Sequence, residues 1–413
     1  MAKTEPIPIS ASFPVGGVHK GFGLAGQPEN TTASALNVWP QDWGGGRARG
    51  GTRPGLTSAG SISGIPRHAV PAEWTVTSGA DNKVGIVLIT NTGLYTVEGD
   101  SEDTGLTIDP RIAVTVGADS STAIYEQRAY LADSALAAVE FWDLTSDTGD
   151  DLTSVQAKGT APTYCGLVCS YGDRLVLSGD RASPQAVYMS RIGDHTDWDY
   201  TQTDGAAAWA NAGATPGKIG ERVTCLFQHN RNCLLVGCTD SMYVLRGNPG
   251  AGSASIEVLS REVGPIKMSA ICKTGSEHVV MMTRHGLYRM DPGCGSPPVN
   301  MSDAKLPDNL SDIDPTTDSV SLAYDSKFRG IHIVIIRNVT GGSAVKDTYF
   351  YSLMHDSFWP VDYSADTISF CTTLKSWAND IRSPCLFLQS GAAYKMEETS
   401  GEAMTSRCLF GPF

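Results

Sequence analysis

The chain of 413 residues is 41% hydrophobic and carries 31 Lys+Arg against 44 Asp+Glu, a formal net charge of −13. That apolar content can bury a substantial core and excludes an intrinsically disordered chain. The acidity argues against a protein that grips a phosphate backbone, because such affinity comes mainly from Lys and Arg neutralising phosphates.

Residues 1–45 are rich in Pro, Gly, Asn and Ser and lack periodicity, which predicts an extended N-terminal arm. The first 17 residues, MAKTEPIPISASFPVGG, hold no apolar stretch that would mark a secretory leader. Gly21, Gly23 and Gly26 spell G-x-G-x-x-G, but VHK precedes them and QPENTT follows, where a dinucleotide site needs a strand and then a helix. Just beyond the arm, GGGRARGGTRPGL holds the one compact basic patch, Arg47, Arg49 and Arg53. Three readings stay open for it: guanidinium forks paired with carboxylates of a partner subunit, a DNA contact, or a solvated loop.

From residue 46 to 413 the chain breaks into short apolar runs bounded by Gly, Asp, Asn or Pro and rich in Val, Ile, Thr and Tyr, an all-β pattern. The longest apolar runs, 84–89 and 331–336, fall far short of the roughly 18 residues of a membrane helix, so no membrane insertion is expected. A hairpin with an aromatic just past its turn recurs, most clearly in VLITNTGLYTVEG, LLVGCTDSMYVLRG, VMMTRHGLYRMD and LFLQSGAAYKME. The aromatics are Tyr95, Phe141, Tyr188, Tyr243, Tyr288, Tyr351 and Tyr394, spaced 46, 47, 55, 45, 63 and 43 residues apart. One hairpin per 40–50 residues is about the period of four-stranded propeller blades. The predicted fold is therefore an all-β propeller of six or seven blades. Its aromatics fill the wedges between blades, so that Tyr288→Ala would cost about 3–5 kcal/mol. The two wide gaps predict insertions near 200–220 and 292–317, and long loops of that kind tend to carry function.

Few residues suggest chemistry. The cluster Asp194, His195, Asp197, Trp198 and Asp199 offers oxygens for a hard cation but has the spacing of no known loop, and reads first as a polar turn at a blade rim. The segment 213–218, GATPGK, is one residue short of a Walker A loop. The ten cysteines form no C-x-x-C, and the eight histidines form no i, i+4 pair, so no metal, cofactor or catalytic group is expected. The cysteines read as small buried hydrophobes in a reduced compartment. The sequons at Asn30, Asn300, Asn309 and Asn338 are expected to be chance matches.

Three stretches carry resemblances. SEDTGLT at 101–107 resembles the Asp-box of sialidase-like propellers, a device that stabilises a turn. NVWPQDWGGGRARGGTRPGL at 37–56 and GDRLVLSGDRASPQAVYMSRIGDHTDWD at 172–199 resemble the β-propeller nozzle proteins of short-tailed bacteriophages, a group that includes packaged-DNA stabilisation proteins. The first has their N-x-x-P leading to R-P-G, the second their Arg-led strand, aromatic-Ser strand and D-x-x-D-W. The resemblance implies a non-enzymatic virion subunit assembled in the host bacterial cytoplasm. It implies a ring, commonly a hexamer, below the portal and its head-to-tail adaptor. A tail fibre or spike and a tail needle or plug would be neighbours, and genomic DNA would pass through without sequence-specific binding. Partner contacts are then expected at Arg47, Arg49, Arg53, Asp194, His195, Asp197, Trp209, Lys218, Asp303 and Lys305, which lie in the basic patch, the polar turn and the insertions. The alternative is a tail-associated glycan-binding or glycan-degrading propeller, which would need two facing acids across a cleft.

Overall fold

The computed structural model describes residues 12–42, 47–76, 82–99, 106–211, 219–252, 254–306, 308–337, 344–363, 368–374, 385–397 and 404–410. The strands form seven four-stranded antiparallel sheets. Their first strands are Pro66–Thr75, Ser120–Tyr125, Leu167–Tyr171, Val223–Asn230, Ile271–Lys273, Ser319–Asp325 and Phe370–Thr373, which define blades 1 to 7. These first strands meet their neighbours in a closed circuit in which blade 7 returns to blade 1. Between blades 4 and 5 the 3-10 turn Met268–Ala270 supplies the contact instead. The chain is a seven-bladed β-propeller.

All seven aromatics of the repeat lie on the third strand of a blade: Tyr95 in Gly93–Gly99, Phe141 in Glu140–Asp143, Tyr188 in Val187–Met189, Tyr243 in Met242–Arg246, Tyr288 in Gly286–Met290, Tyr351 in Val345–Ser352 and Tyr394 in Ala392–Glu397. Several turns between first and second strands are tight, whereas the connection into the aromatic strand is longer in blades 2 and 3, at 134–139 and 179–186. Glu126 and Gln127, and again Gly172 and Asp173, take positive φ at both turn positions, the twist that matches two right-handed strands. Burial is uneven, however. Tyr95, Tyr243 and Tyr351 are buried, whereas Tyr188, Tyr288 and Tyr394 are half-buried.

Blade 7 contributes only three strands from the C-terminal part of the chain. Its outermost strand is Gly55–Gly60, which pairs antiparallel with Ala392–Glu397 and sets Ser58 opposite Tyr394. Two short pairings reinforce this join: Ala35–Leu36 with Arg407–Cys408, and Val38–Trp39 with Gly51–Thr52.

The described part of the arm is docked on its own propeller. Val18 and Trp39 are buried in the same core as blade 6. Trp39 stacks on Phe350 at 4.1 Å, and Phe13 stacks on Trp359 at 5.5 Å. The Val18 and Asn37 amides donate to the Phe358 and Pro360 carbonyls at 2.9 and 3.1 Å, covering the outer strand Ser357–Pro360. An unpaired strand edge invites association, so this cover also has a protective effect. The approach is close at Gly17, where φ is +73° and a Cβ would lie 2.7 Å from the Phe358 carbonyl oxygen.

The insertions also differ from open loops. The 200–220 segment contains the fourth strand of blade 3, Trp209–Ala210, while residues 212–218 lie outside the described residues. The 292–317 segment buries Leu306, Leu310 and Ile313 against blade 6. Arg337 donates to the Asn309 and Ser311 carbonyls at 2.8 and 3.2 Å and pins that segment down.

Two stability outcomes follow from this packing. In urea melts, Tyr351→Ala is expected to lose about 3–5 kcal/mol, whereas Tyr288→Ala, whose ring is only partly buried, should lose less, about 1–2 kcal/mol. Deleting residues 1–60 removes the outer strand of blade 7 and should abolish the single cooperative transition, read by circular dichroism on heating.

Candidate functional site

First strands of neighbouring blades splay apart, so side chains bridge them. The Thr122 amide donates to His68 Nδ1 at 3.1 Å, joining blades 1 and 2. Ser121 Oγ donates to the Gly166 carbonyl at 3.1 Å and accepts from the Val168 amide at 2.8 Å, joining blades 2 and 3. Ser321 Oγ accepts from the Cys371 amide at 2.9 Å between blades 6 and 7. Burial pushes His68 down to about 4 from an ordinary 6.5, because a charged imidazole would be stranded without water.

The ring axis is waisted into two recesses that share Met268 as a lining residue. Met268 Sδ takes the Leu226 amide at 3.1 Å, so the 3-10 turn occupies an acceptor position that a paired strand would otherwise fill. The larger recess, about 810 Å³, is lined by all seven blades and holds one cation and one carboxylate, Lys273 and Glu277, which pair with each other. The smaller, about 400 Å³, opens where the first strands begin, and its charged lining is Arg67, Asp119, Arg222, Lys267 and Arg284.

A third polar assembly is sealed in the core. Arg53 is 1% exposed. It donates to Asn37 Oδ1, the Pro54 carbonyl and the Asp362 carbonyl at 3.2, 2.8 and 3.0 Å, and stacks 4.9 Å from the Tyr363 ring centroid. The Tyr363 hydroxyl lies 3.1 Å from His332 Nδ1, and His332 Nε2 lies 3.2 Å from Asp325 Oδ2. Asp325 Oδ1 accepts the Lys327 and Phe328 amides. Asp325, His332 and Cys385 gather three ligand-type atoms within 4.8 Å. Sequence spacing does not reveal this cluster, because a hairpin and the next blade bring the three together. Its chemistry reads as a closed hydrogen-bond chain. The Asp325 and His332 ligand atoms already satisfy each other, and burial drives the Cys385 thiol well above its ordinary pKa, disfavouring the thiolate a metal would need.

The expected partner contacts separate into distinct groups. Arg47 and Arg49 are exposed, and both pair with Asp42, at 3.4 Å for Arg47. Arg53 is a correction: its guanidinium is used inside the core and is not available to a partner. His195 and Asp197 are also buried. His195 packs edge-on against Tyr130 and Phe141, and burial lowers its pKa to about 4. Asp194 Oδ1 takes the Thr196 amide at 2.8 Å, Asp197 Oδ1 takes the Asp199 amide at 3.0 Å, and Trp198 Nε1 donates to the His195 carbonyl at 2.8 Å. This is a self-satisfied polar turn.

Trp209 is half-buried in the outer strand of blade 3, Asp303 is exposed, and Lys305 pairs with Asp356 at 2.6 Å. Lys218, the 213–218 glycine segment, Asn338 and residues 101–105 of the Asp-box stretch lie outside the described residues. Gly21, Gly23 and Gly26 sit in a loop with a 3-10 turn at Leu24–Gly26, without the strand and helix of a dinucleotide site. The cysteines are free thiols. Cys233 differs from the others that shift, its pKa being lowered by a hydrogen bond with Cys294 and then by Arg246 at 3.4 Å, but it is buried within the second strand of blade 4, Cys233–Cys238.

No family model matches the chain, and no curated protein matches it. Among solved structures it is similar to the extracellular domain of the hybrid two-component system BT3049 from B. thetaiotaomicron, with 10% identity over 83% of this chain and 42% of that one, and a TM-score of 0.46. PorZ, a surface component of the type-IX secretion system of Porphyromonas gingivalis, matches at 12% identity over 87% of this chain and 39% of its own, with a TM-score of 0.42. YCF48 from Cyanidioschyzon merolae matches at 12% identity over 83% and 98%, with a TM-score of 0.45. The chain spans about two fifths of the length of the first two.

Arg53→Ala should cost about 3–5 kcal/mol in denaturant melts, since it strands buried partners of a charge, and Lys should not restore it. The pH dependence has a definite sign. A histidine held neutral in the fold binds its proton more readily when unfolded, so its stabilisation is complete above about 6.5 and falls with pH by about 1.4 kcal/mol per unit until about 4. Because His195 titrates over the same range, His68→Asn, which keeps an acceptor for Thr122, should about halve the combined slope in melts recorded from pH 7 to 4.

Proposed function

We propose that this chain is a structural subunit of a short-tailed phage tail nozzle. In this reading it assembles as a ring, of six copies, below the head-to-tail adaptor. It retains packaged DNA, passes it during ejection, and carries fibre or spike and needle or plug as neighbours. It is a conduit component and not a catalyst.

The observation that carries the reading is where the resemblance motifs fall and what they expose. Asn37 and Arg53, from N-x-x-P and R-P-G, lock the N-terminal segment to blades 6 and 7. Arg174, the Arg that leads the second motif, is buried and donates to the Ser190 and Ala207 carbonyls at 2.7 and 2.6 Å, tying the distant outer strand of blade 3 to its inner strands. Trp198 of D-x-x-D-W is fully buried between blades 2 and 3. These residues act on shape, as a building block requires.

Beside this, the docked arm, the outer hairpin of blade 6 and the C-terminal segment expose Phe22, Met354, Leu409 and Phe410 to between 42% and 53%. Large apolar side chains left in water on these three segments suit burial against another subunit. The net charge of −13 suits a DNA conduit, since like charge keeps the polymer from adhering to the wall.

Multi-angle light scattering should give a particle of about 263 kDa for six 43.8 kDa chains. A double variant, Phe22→Asp with Leu409→Asp, should fall to monomer while its melting changes by less than about 1 kcal/mol. A wild-type chain that stays monomeric at high concentration and hydrolyses capsular glycan would overturn the proposal.

A further inference from the structure

The smaller axial recess concentrates positive charge in a chain that is otherwise strongly negative. Four cationic side chains line its roughly 400 Å³ against one carboxylate, Asp119. They come from different parts of the ring: Arg67 from blade 1, Arg222 at the start of blade 4, and Lys267 and Arg284 from blade 5 and the turn before it.

Their local partners leave much of this charge unmatched. Arg222 pairs with Asp119 at 2.7 Å, which accounts for the one carboxylate of the lining. Arg284 reaches Asp240 only at 3.7 Å, and its buried Nε has no hydrogen-bond partner. The Nε of Arg67 is likewise buried and unpartnered. Lys267 donates to a neutral acceptor, the Asp318 carbonyl, at 3.2 Å. Lys267 is also pushed below its ordinary pKa, first by burial, with Arg67 adding to the shift and the carboxylates of Asp119, Asp318 and Asp314 opposing it. Like charges brought together and partly desolvated destabilise the empty ring, and an anion relieves them. By contrast, the larger recess on the same axis has its one cation and one carboxylate already paired.

We propose that this recess is a binding site for a compact, multiply charged phosphoryl anion, held by the guanidinium forks of Arg67, Arg222 and Arg284 and the ammonium of Lys267. Guanidinium forks match tetrahedral oxyanions with paired, charge-assisted hydrogen bonds. A phosphoryl group brings close to two negative charges in a small volume, which suits a recess at the lower end of small-molecule pocket sizes. The site does not depend on the nozzle reading, since it lies within one propeller and uses no residue from a second copy.

Calorimetric titration of the full chain with inorganic pyrophosphate in low salt tests the assignment. Saturable binding with one site per chain is expected, weakened by added salt. Arg222→Ala, at a half-exposed position where folding is undisturbed, should weaken it about tenfold, the loss of one charged hydrogen-bonding partner. Arg67→Gln should do the same. The proposal is overturned if millimolar pyrophosphate gives no saturable heat, or if both variants bind as the wild type does. Citrate binding as tightly as pyrophosphate would overturn the phosphoryl assignment.

Discussion

A propeller sheet at the end of the chain has no later strand to cover its outer edge, and everything else in this molecule follows from how that edge is closed. Here strand Gly55–Gly60, drawn from the beginning of the chain, completes the blade begun by Phe370–Thr373. The backbone donors and acceptors on the outward edge of Ala392–Glu397 would otherwise face water or another molecule. Closure joins residues more than 330 positions apart, as in the Tyr394 to Ser58 pairing, so the first and last blades are stable only together. Arg53 stands immediately before that strand, and its bonds to Asn37 and Asp362 fix where the strand enters the ring.

The same join explains why so much polar chemistry is buried. The Asp325, His332 and Tyr363 chain and the Arg53 guanidinium sit beneath the returning N-terminal segment, each group supplied with a partner. A buried polar network that is fully satisfied specifies one arrangement of the elements around it. Farther round the ring, Arg174 and Ser121 play equivalent parts for blades 2, 3 and 4, bonding to carbonyls and amides that the splayed strands leave open. The axial recess with Arg67 and Arg284 is the contrast, because there buried nitrogen atoms remain without partners.

Much of the architecture was legible in the chain itself. The spacing of Tyr95, Phe141, Tyr188, Tyr243, Tyr288, Tyr351 and Tyr394 marks the third strand of every blade, because each blade repeats the same four-strand order over a similar length of chain. The depth of each ring was not legible: Tyr288 carries the same local signature as Tyr243 but is only partly buried. The arm was recognisable as aperiodic, yet periodicity says nothing about docking. Trp39 finds Phe350 across more than 300 residues of sequence. The partner-contact residues were the least legible. Arg53, His195 and Asp197 look exposed because they are charged or polar, and they are buried because Arg53 and Asp197 find hydrogen-bond partners there and the His195 ring packs against Tyr130 and Phe141.

By itself, then, the sequence determined an all-β chain and its repeat and narrowed the blades to six or seven, since these rest on contacts between residues a few positions apart. Tertiary structure alone decided which end of the chain closes the ring, which charged groups are enclosed, and that four cations from three parts of the ring meet at one mouth of the axis. Those outcomes depend on distances between remote segments, and no local spacing encodes a distance that only ring closure creates.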